Sequence, residues 1–261
     1  NPWLDAGIVP FSTLKYKTDK DYFKKWFPAD FITESFPGQF KNWFYSLIAM
    51  SSVLENTNSF KNVLGFATVL AENGKEMHKS DGTSIEFNQA ADQIGVDVMR
   101  WFYAKQNSSK NLLFGYNNAN QVKRQFHMFL WNSYRFFANY AALENWQPEK
   151  SLDNPTVLDK WIMSRLDQTI ITVTKGLDKF NSHVGAAAIE TFVADFSSWY
   201  IRRSRDRVGP GAQDLNDKQV CYQTLFIVLE KLSRLLMPFT PFLGDSIYTN
   251  LTGNKSVNLA N

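Results

Sequence analysis

Two periodicities divide the chain. Up to about residue 116, short β-branched and aromatic runs alternate with helical spacing; from 117 onward apolar positions recur every three or four residues. Residues 30 to 34, DFITE, and 62 to 70, NVLGFATVL, read as strands because each is β-branched or aromatic with turn-formers nearby. Between them QFKNWFYSLIAMSSVLE, 39 to 55, sets Phe40, Phe44, Leu47, Ile48 and the Ser51 to Leu54 turn on one helical face. Strand, helix, strand predicts a right-handed βαβ crossover with parallel strands, a unit from which nucleotide-binding folds are built. Asn73-Gly74 then predicts a type I′ hairpin turn, since both residues tolerate positive φ. Residues 87 to 95 read as a short helix closed by Gly95 and 96 to 106 as another, where strand signals end.

The second half predicts a helical bundle. Val122, Phe126, Phe129, Leu130, Tyr134, Phe137 and Tyr140 stripe its first helix. A polar break at 145 to 155 ends in Asn154-Pro155, a cap and first helical position. Leu158, Ile162, Leu166, Ile170, Val173 and Leu177 stripe the second helix; Ile189, Phe192, Val193, Phe196 and Tyr200 the third, which Gly209-Pro210-Gly211 stops. The fourth starts near Asp217 and ends at Pro238 and Pro241, because proline lacks an amide donor, and the tail 252 to 261 frays. The fold class is α/β plus all-α, with domains at 1–116 and 117–261.

Composition narrows the function classes. With 44% hydrophobic and 15% aromatic residues over 261 positions the chain is not disordered. Lys and Arg total 28 against 25 Asp and Glu, a net +3 that permits a nucleic-acid partner without a histone-like excess. One cysteine, Cys221, excludes an internal disulfide framework and a cysteine-based zinc cluster; it suits a reducing cytosol and a place in the core. No apolar run approaches the roughly 20 residues that span a bilayer, and the first residues lack a basic segment followed by an apolar one. The expectation is a soluble, cytoplasmic, monomeric protein with no membrane association. The chain starts without Met inside an apolar, aromatic stretch, which suggests a natural chain that extends upstream. His78, His127 and His183 are far apart, and no carboxylates show ligand spacing, so no metal site is predicted. His127 reads as a core or boundary residue and His183 as part of a turn between helices.

Open parallel sheets bind ligands beyond the carboxyl ends of their strands. Glu34 ends the first strand, and residues 75 to 80 lie just past the second strand and its hairpin, so both are expected at one edge. A carboxylate there can grip a ligand ammonium, and Lys79 can neutralise phosphate charge that develops in a transition state. A solvated charged turn explains the same residues, and spacing alone leaves both readings open.

VLAENGKEMHKS, 69 to 80, resembles the segment of class I aminoacyl-tRNA synthetases that ends in the KMSKS signature, with Met77, Lys79 and Ser80 in place. WLDAG at 3 to 7, PADFITES with QFKNWFY downstream, and GVDVMRW at 95 to 101 are similar to further segments of the isoleucyl branch of that family. WNSYRFFANYA, LDKWIMSRLDQTI and SSWYIRRSRDR resemble landmarks of its anticodon-binding domain, with the valyl, leucyl and methionyl branches as alternatives. The resemblance covers nearly the whole chain. It implies the carboxyl part of a Rossmann-like catalytic domain followed by an antiparallel bundle. The implied reaction activates isoleucine with ATP and Mg2+ to the adenylate and passes it to tRNA(Ile). Lys79 would be catalytic; Lys75, Met77, Lys79 and Ser80 would bind ATP, and Glu34 and Gln39 the aminoacyl-adenylate. The signature's first lysine is Glu76 here and its middle serine His78, with Lys75 restoring one charge. No H-I-G-H-like segment or editing insertion occurs, which upstream sequence would account for, and the piece alone should not aminoacylate.

Arg202, Arg203, Arg205 and Arg207 are the candidate contacts for tRNA phosphates, with a solvated or ion-paired helix end as the alternative. Arg203 extends the stripe of Phe196 and Tyr200 and is the one expected to reach a buried carboxylate. Trp43, Phe44, Trp131, Trp161 and Trp199 follow helical stripes, and packing is the favoured reading over base stacking.

Overall fold

The computed structural model describes residues 1–80, 82–149 and 151–260. Asp81 of the charged loop, Lys150 of the polar break and the terminal Asn261 lie outside the described residues. By packing, the chain forms two compact units, Asn1–Met77 with Asn107–Leu113, and His78–Gln106 with Phe114–Asn261. This division does not follow the 116/117 step in sequence pattern.

The first unit opens with α1 (Pro2–Thr13), which Asn1 caps by accepting from the Trp3 amide, and α2 (Lys20–Trp26), capped by Asp19. Phe11, Phe23 and Phe27 form its aromatic core, with Phe23 stacked on Phe27 at 4.7 Å and Ile8, Leu14, Tyr16 and Met50 around them. The crossover follows the predicted order. β1 (Ile32–Ser35) leads through α3 (Phe36–Gln39), a π-helical turn (Phe40–Phe44) and α4 (Tyr45–Glu55) to β2 (Val63–Phe66), which pairs with β1 in parallel. The predicted helix face is only partly the buried one: Phe44, Leu47 and Ser51 are buried, whereas Phe40 and Ile48 face solvent. The π turn moves side chains around the axis relative to an ideal 3.6 repeat.

The single strand expected over 62 to 70 is two, because Ala67 and Thr68 bond instead to Ser108 and Asn111. β3 (Val69–Ala71) pairs with β4 (Leu112–Phe114), a strand beyond the point where strand signals were expected to end.

The second unit contains α5 (Phe87–Ile94), α6 (Val96–Lys105), α7 (Tyr116–Val122), a π turn (Lys123–His127) and α8 (Met128–Leu143). After them come α9 (Val157–Asp178), α10 (Ser182–Asp195), a π turn (Phe196–Ile201), α11 (Arg202–Val208), α12 (Leu215–Leu235) and α13 (Pro241–Thr252). α6 belongs here by packing. Its Trp101 is fully buried and stacks on Phe126 at 3.6 Å, and its Arg100 donates to the carbonyls of Pro238 (2.9 Å) and Phe239 (3.1 Å). Lys105 pairs with Glu190 at 2.7 Å.

Several boundaries differ from expectation for identifiable reasons. Thr156, not Asn154, caps α9, in a reciprocal box with Asp159. Pro241 starts α13 rather than ending α12, as a first-turn residue whose missing amide costs nothing. His183 lies in the first turn of α10, with Nδ1 2.6 Å from the Lys105 carbonyl oxygen. The tail is tied down, since Asp245 accepts from the Ser256 hydroxyl and the Val257 amide. Among the described residues no helix is long and apolar enough to cross a membrane, and Cys221 is buried.

Candidate functional site

At the carboxyl end of β1, Glu34 lies in register with Gly65 of β2, while the Thr33 hydroxyl donates to the Leu64 carbonyl at 2.9 Å. A side chain at 65 would meet Phe36 at 2.7 Å, so glycine lets the chain leaving β1 close over β2. The half-buried Glu34 carboxylate accepts from the Ser35 amide at 2.8 Å, which orients it at the strand end. Gln39 spends its side-chain oxygen on the Trp43 amide at 3.3 Å and so caps the π turn.

The charged loop follows β3 directly. Gly74 donates to the Ala71 carbonyl and Ala71 to that of Lys75, both at 2.9 Å. Of Asn73 and Gly74 the glycine alone has positive φ, 79°, while Asn73 accepts from the Lys75 amide at 3.0 Å. The connection is therefore a three-residue turn with glycine in the left-handed position, not a type I′ turn. The Asn73 side chain satisfies the amide two residues on, as in an Asx turn, and its backbone does not take positive φ. Met77 is half-buried among exposed neighbours, and His78 is stapled to Thr83, whose hydroxyl accepts from its amide at 2.9 Å. Lys75, Lys79 and Ser80 are exposed, and among the described residues neither lysine forms an ion pair. Glu34, Gln39, Lys75 and Met77 fall in the first unit, Lys79 and Ser80 in the second. Among the described residues no three His, Cys, Asp or Glu side chains group as metal ligands would.

The arginine run splits. Arg202, Arg203 and Arg205 are exposed, and Arg203 lies over the exposed Trp199 ring at 3.9 Å. Arg207, not Arg203, reaches the buried carboxylate. Its guanidinium donates to both oxygens of Asp159 at 2.8 and 2.9 Å and to both of Asp217 at 2.8 and 2.7 Å. Asp159, fully buried, also accepts from Thr156 and from the Tyr200 hydroxyl at 2.6 Å. Burial pulls the Asp159 carboxyl upward, but the bonds from Arg207, Thr156 and Tyr200 outweigh it and hold the group below its ordinary value. Burial also lifts the Tyr200 hydroxyl well above the ordinary tyrosine range, so it stays a donor. Sequence patterning had no access to this network. Trp131 and Trp199 are likewise 40% and 49% exposed, against the packing expected of them, whereas Phe44 is buried and Trp43 and Trp161 half-buried.

Comparison with known proteins covers both units. Residues 1–114 match the family described as tRNA synthetases class I (I, L, M and V), and 159–261 the anticodon-binding domain of tRNA ligase. An isoleucine–tRNA ligase of Clostridium novyi is 36% identical over 97% of the chain, and one of Dehalococcoides mccartyi is 38% identical over 95%. The chain spans only about a quarter of these relatives, 24% and 25% of their lengths. A methionyl-tRNA synthetase of Mycobacterium tuberculosis with methionyl-adenylate shares the fold at TM-score 0.73 and 16% identity, over 88% of this chain and 46% of that one. The LeuRS of an Agrobacterium radiobacter ternary complex with tRNA does so at 0.69 and 18%, over 95% and 31%.

Proposed function

From a chain that belongs to the class I tRNA synthetases of the I, L, M and V group, we propose a piece of an isoleucine–tRNA ligase. Residues 1–116 are the carboxyl part of its Rossmann-like catalytic domain, and 117–261 its helical tRNA-binding bundle. The observation that carries this reading is the 36% to 38% identity to isoleucine–tRNA ligases along nearly the whole chain. The complete protein, a cytoplasmic monomer, joins isoleucine to Mg2+-ATP as isoleucyl-adenylate with release of pyrophosphate. A terminal ribose hydroxyl of tRNA(Ile) then takes the isoleucyl group and AMP leaves.

Each site residue has a part suited to its chemistry. Glu34, held by the Ser35 amide, presents negative charge to the substrate ammonium. Lys79, exposed and without an ion pair among the described residues, meets the negative charge that moves onto pyrophosphate as the carboxylate attacks the α-phosphorus. Such a contact accelerates the step because it strengthens toward the transition state. Met77 anchors the loop, Lys75 and Ser80 line the ATP phosphates, and Gln39 shapes the turn beside the adenylate.

The test is ATP–pyrophosphate exchange by the full-length protein with isoleucine, valine, leucine and methionine. Isoleucine should give the highest rate, and Lys79→Ala should lower it by about 10² to 10³ with tRNA affinity unchanged. Unaltered exchange removes the role of Lys79; preference for another amino acid removes the isoleucine assignment. Glu76 and His78 at two signature positions favour one second reading, a tRNA-binding protein without activation. Salt-sensitive tRNA binding with no exchange for any of the four amino acids would establish it.

A further inference from the structure

We infer that Trp199 and Arg203 form a stacking platform for an unpaired nucleotide of the bound tRNA, flanked by Arg202 and Arg205 as phosphate contacts. The inference rests on the tRNA-binding reading above and names a site within it. A large indole left 49% exposed on a helix whose other aromatic residues, Phe196 and Tyr200, are fully buried is out of place as a packing residue. The Arg203 guanidinium already lies over it at 3.9 Å, the arrangement that extends an indole into a broader cationic surface. Among the described residues Arg202, Arg203 and Arg205 form no ion pair, although Asp206 is exposed beside them. An aromatic face with three guanidinium groups that form no ion pair among the described residues matches a base and its phosphates; apolar protein partners would leave those charges without counterions.

What lies beneath keeps the platform in place. Tyr200, next in sequence to Trp199, donates to Asp159, and Arg207, one turn beyond Arg203, bridges Asp159 and Asp217. These contacts tie the helix carrying the platform to α9 and α12, so the exposed face is organised before any ligand arrives. The π-helical turn at Phe196–Ile201 holds Trp199 itself, a local irregularity of the kind that clusters at functional positions.

The experiment is equilibrium binding of a tRNA(Ile) transcript to the full-length protein as a function of salt, with ATP–pyrophosphate exchange as the control for intact folding. Trp199→Ala should weaken binding by about 10-fold or more with little change in salt slope, since stacking releases few counterions. Trp199→Phe, which keeps a π face, should stay within about 3-fold of the natural protein. Arg202→Ala and Arg205→Ala should each lower the salt slope by about one. Exchange should be unchanged in all of them. Trp199→Ala binding within 2-fold of the natural protein overturns the platform and leaves the tRNA reading standing. A natural protein that does not bind tRNA even at low salt overturns both.

Discussion

Replacing Arg207 with methionine removes the guanidinium and keeps much of the side-chain volume, which isolates the worth of the ion-pair network. The loss falls on Asp159. In the native protein its two oxygens receive two Arg207 bonds at 2.8 and 2.9 Å as well as those from Thr156 and Tyr200, with no exposure to water. Without Arg207 a fully buried carboxylate has hydroxyl and amide donors but no counter-charge, and such losses cost about 3 to 5 kcal/mol. Asp217, whose side chain is 29% exposed, can rehydrate and adds little. In Arg207→Met/Asp159→Asn the stranded charge is gone, so the double variant should be less destabilised than the sum of the single ones by about 2 kcal/mol. The pH response has a sign. With its folded value below the ordinary 3.8, Asp159 contributes stability that is complete above that value and lost as pH falls through the folded one. In Arg207→Met only the Thr156 and Tyr200 bonds still oppose burial, which then outweighs them and raises the carboxyl above its unfolded value, so the deficit should shrink as pH is lowered from 7 toward 5. Urea unfolding of the bundle, followed by circular dichroism at both pH values, measures all of this. A loss under about 1 kcal/mol, additive with Asp159→Asn, would refute the reasoning. An Arg207→Met variant that stays folded yet shows a lower salt slope for tRNA binding would return Arg207 to the phosphate contacts.

Gly65→Ala should cost about 1 to 3 kcal/mol, because the new methyl meets Phe36 at 2.7 Å. In the full-length protein it should also raise KM for isoleucine in exchange assays, since Phe36 follows two residues after Glu34. His127 offers a pH test in the bundle: burial, with a smaller push from Lys123 and an opposing pull from the Asp97 carbonyl, drives its ring down to about 4. Its folded value is depressed, so stability should rise by up to about 3 kcal/mol between pH 4 and 6.5. His127→Phe should flatten that profile in thermal melts at fixed ionic strength; an unchanged profile assigns it to other groups.

What could be read in the sequence follows from how each signal is encoded. The βαβ order survived because it needs only the type of three consecutive elements, and DFITE and the start of NVLGFATVL carry β-branched density enough for two strands. β4 has three residues, too few for an alternation to register, and its pairing with β3 depends on a partner about 40 positions away. The caps at Thr156 and Pro241 were legible in principle. A Thr-x-x-Asp box and a first-turn proline are local signatures, but each sits beside a competing one, Asn154-Pro155 and Pro238.

The arginines show where stripe reasoning stops. From Tyr200, three residues at about 100° each leave Arg203 about 60° off the buried direction, while seven return Arg207 to within about 20° of it. Extending the stripe by the nearer step therefore selected the wrong guanidinium. Ser204, four residues past Tyr200 and about 40° from it, is buried on the same side. The inward arginine needs Asp159 and Asp217, which come from two other helices. Periodicity within one helix can show that a charge points inward, but only tertiary contact shows what neutralises it. Once Arg207 is committed inward, the exposed guanidinium groups at 202, 203 and 205 and the indole at 199 are what this stretch of helix leaves at the surface, and they are the four residues of the inferred platform.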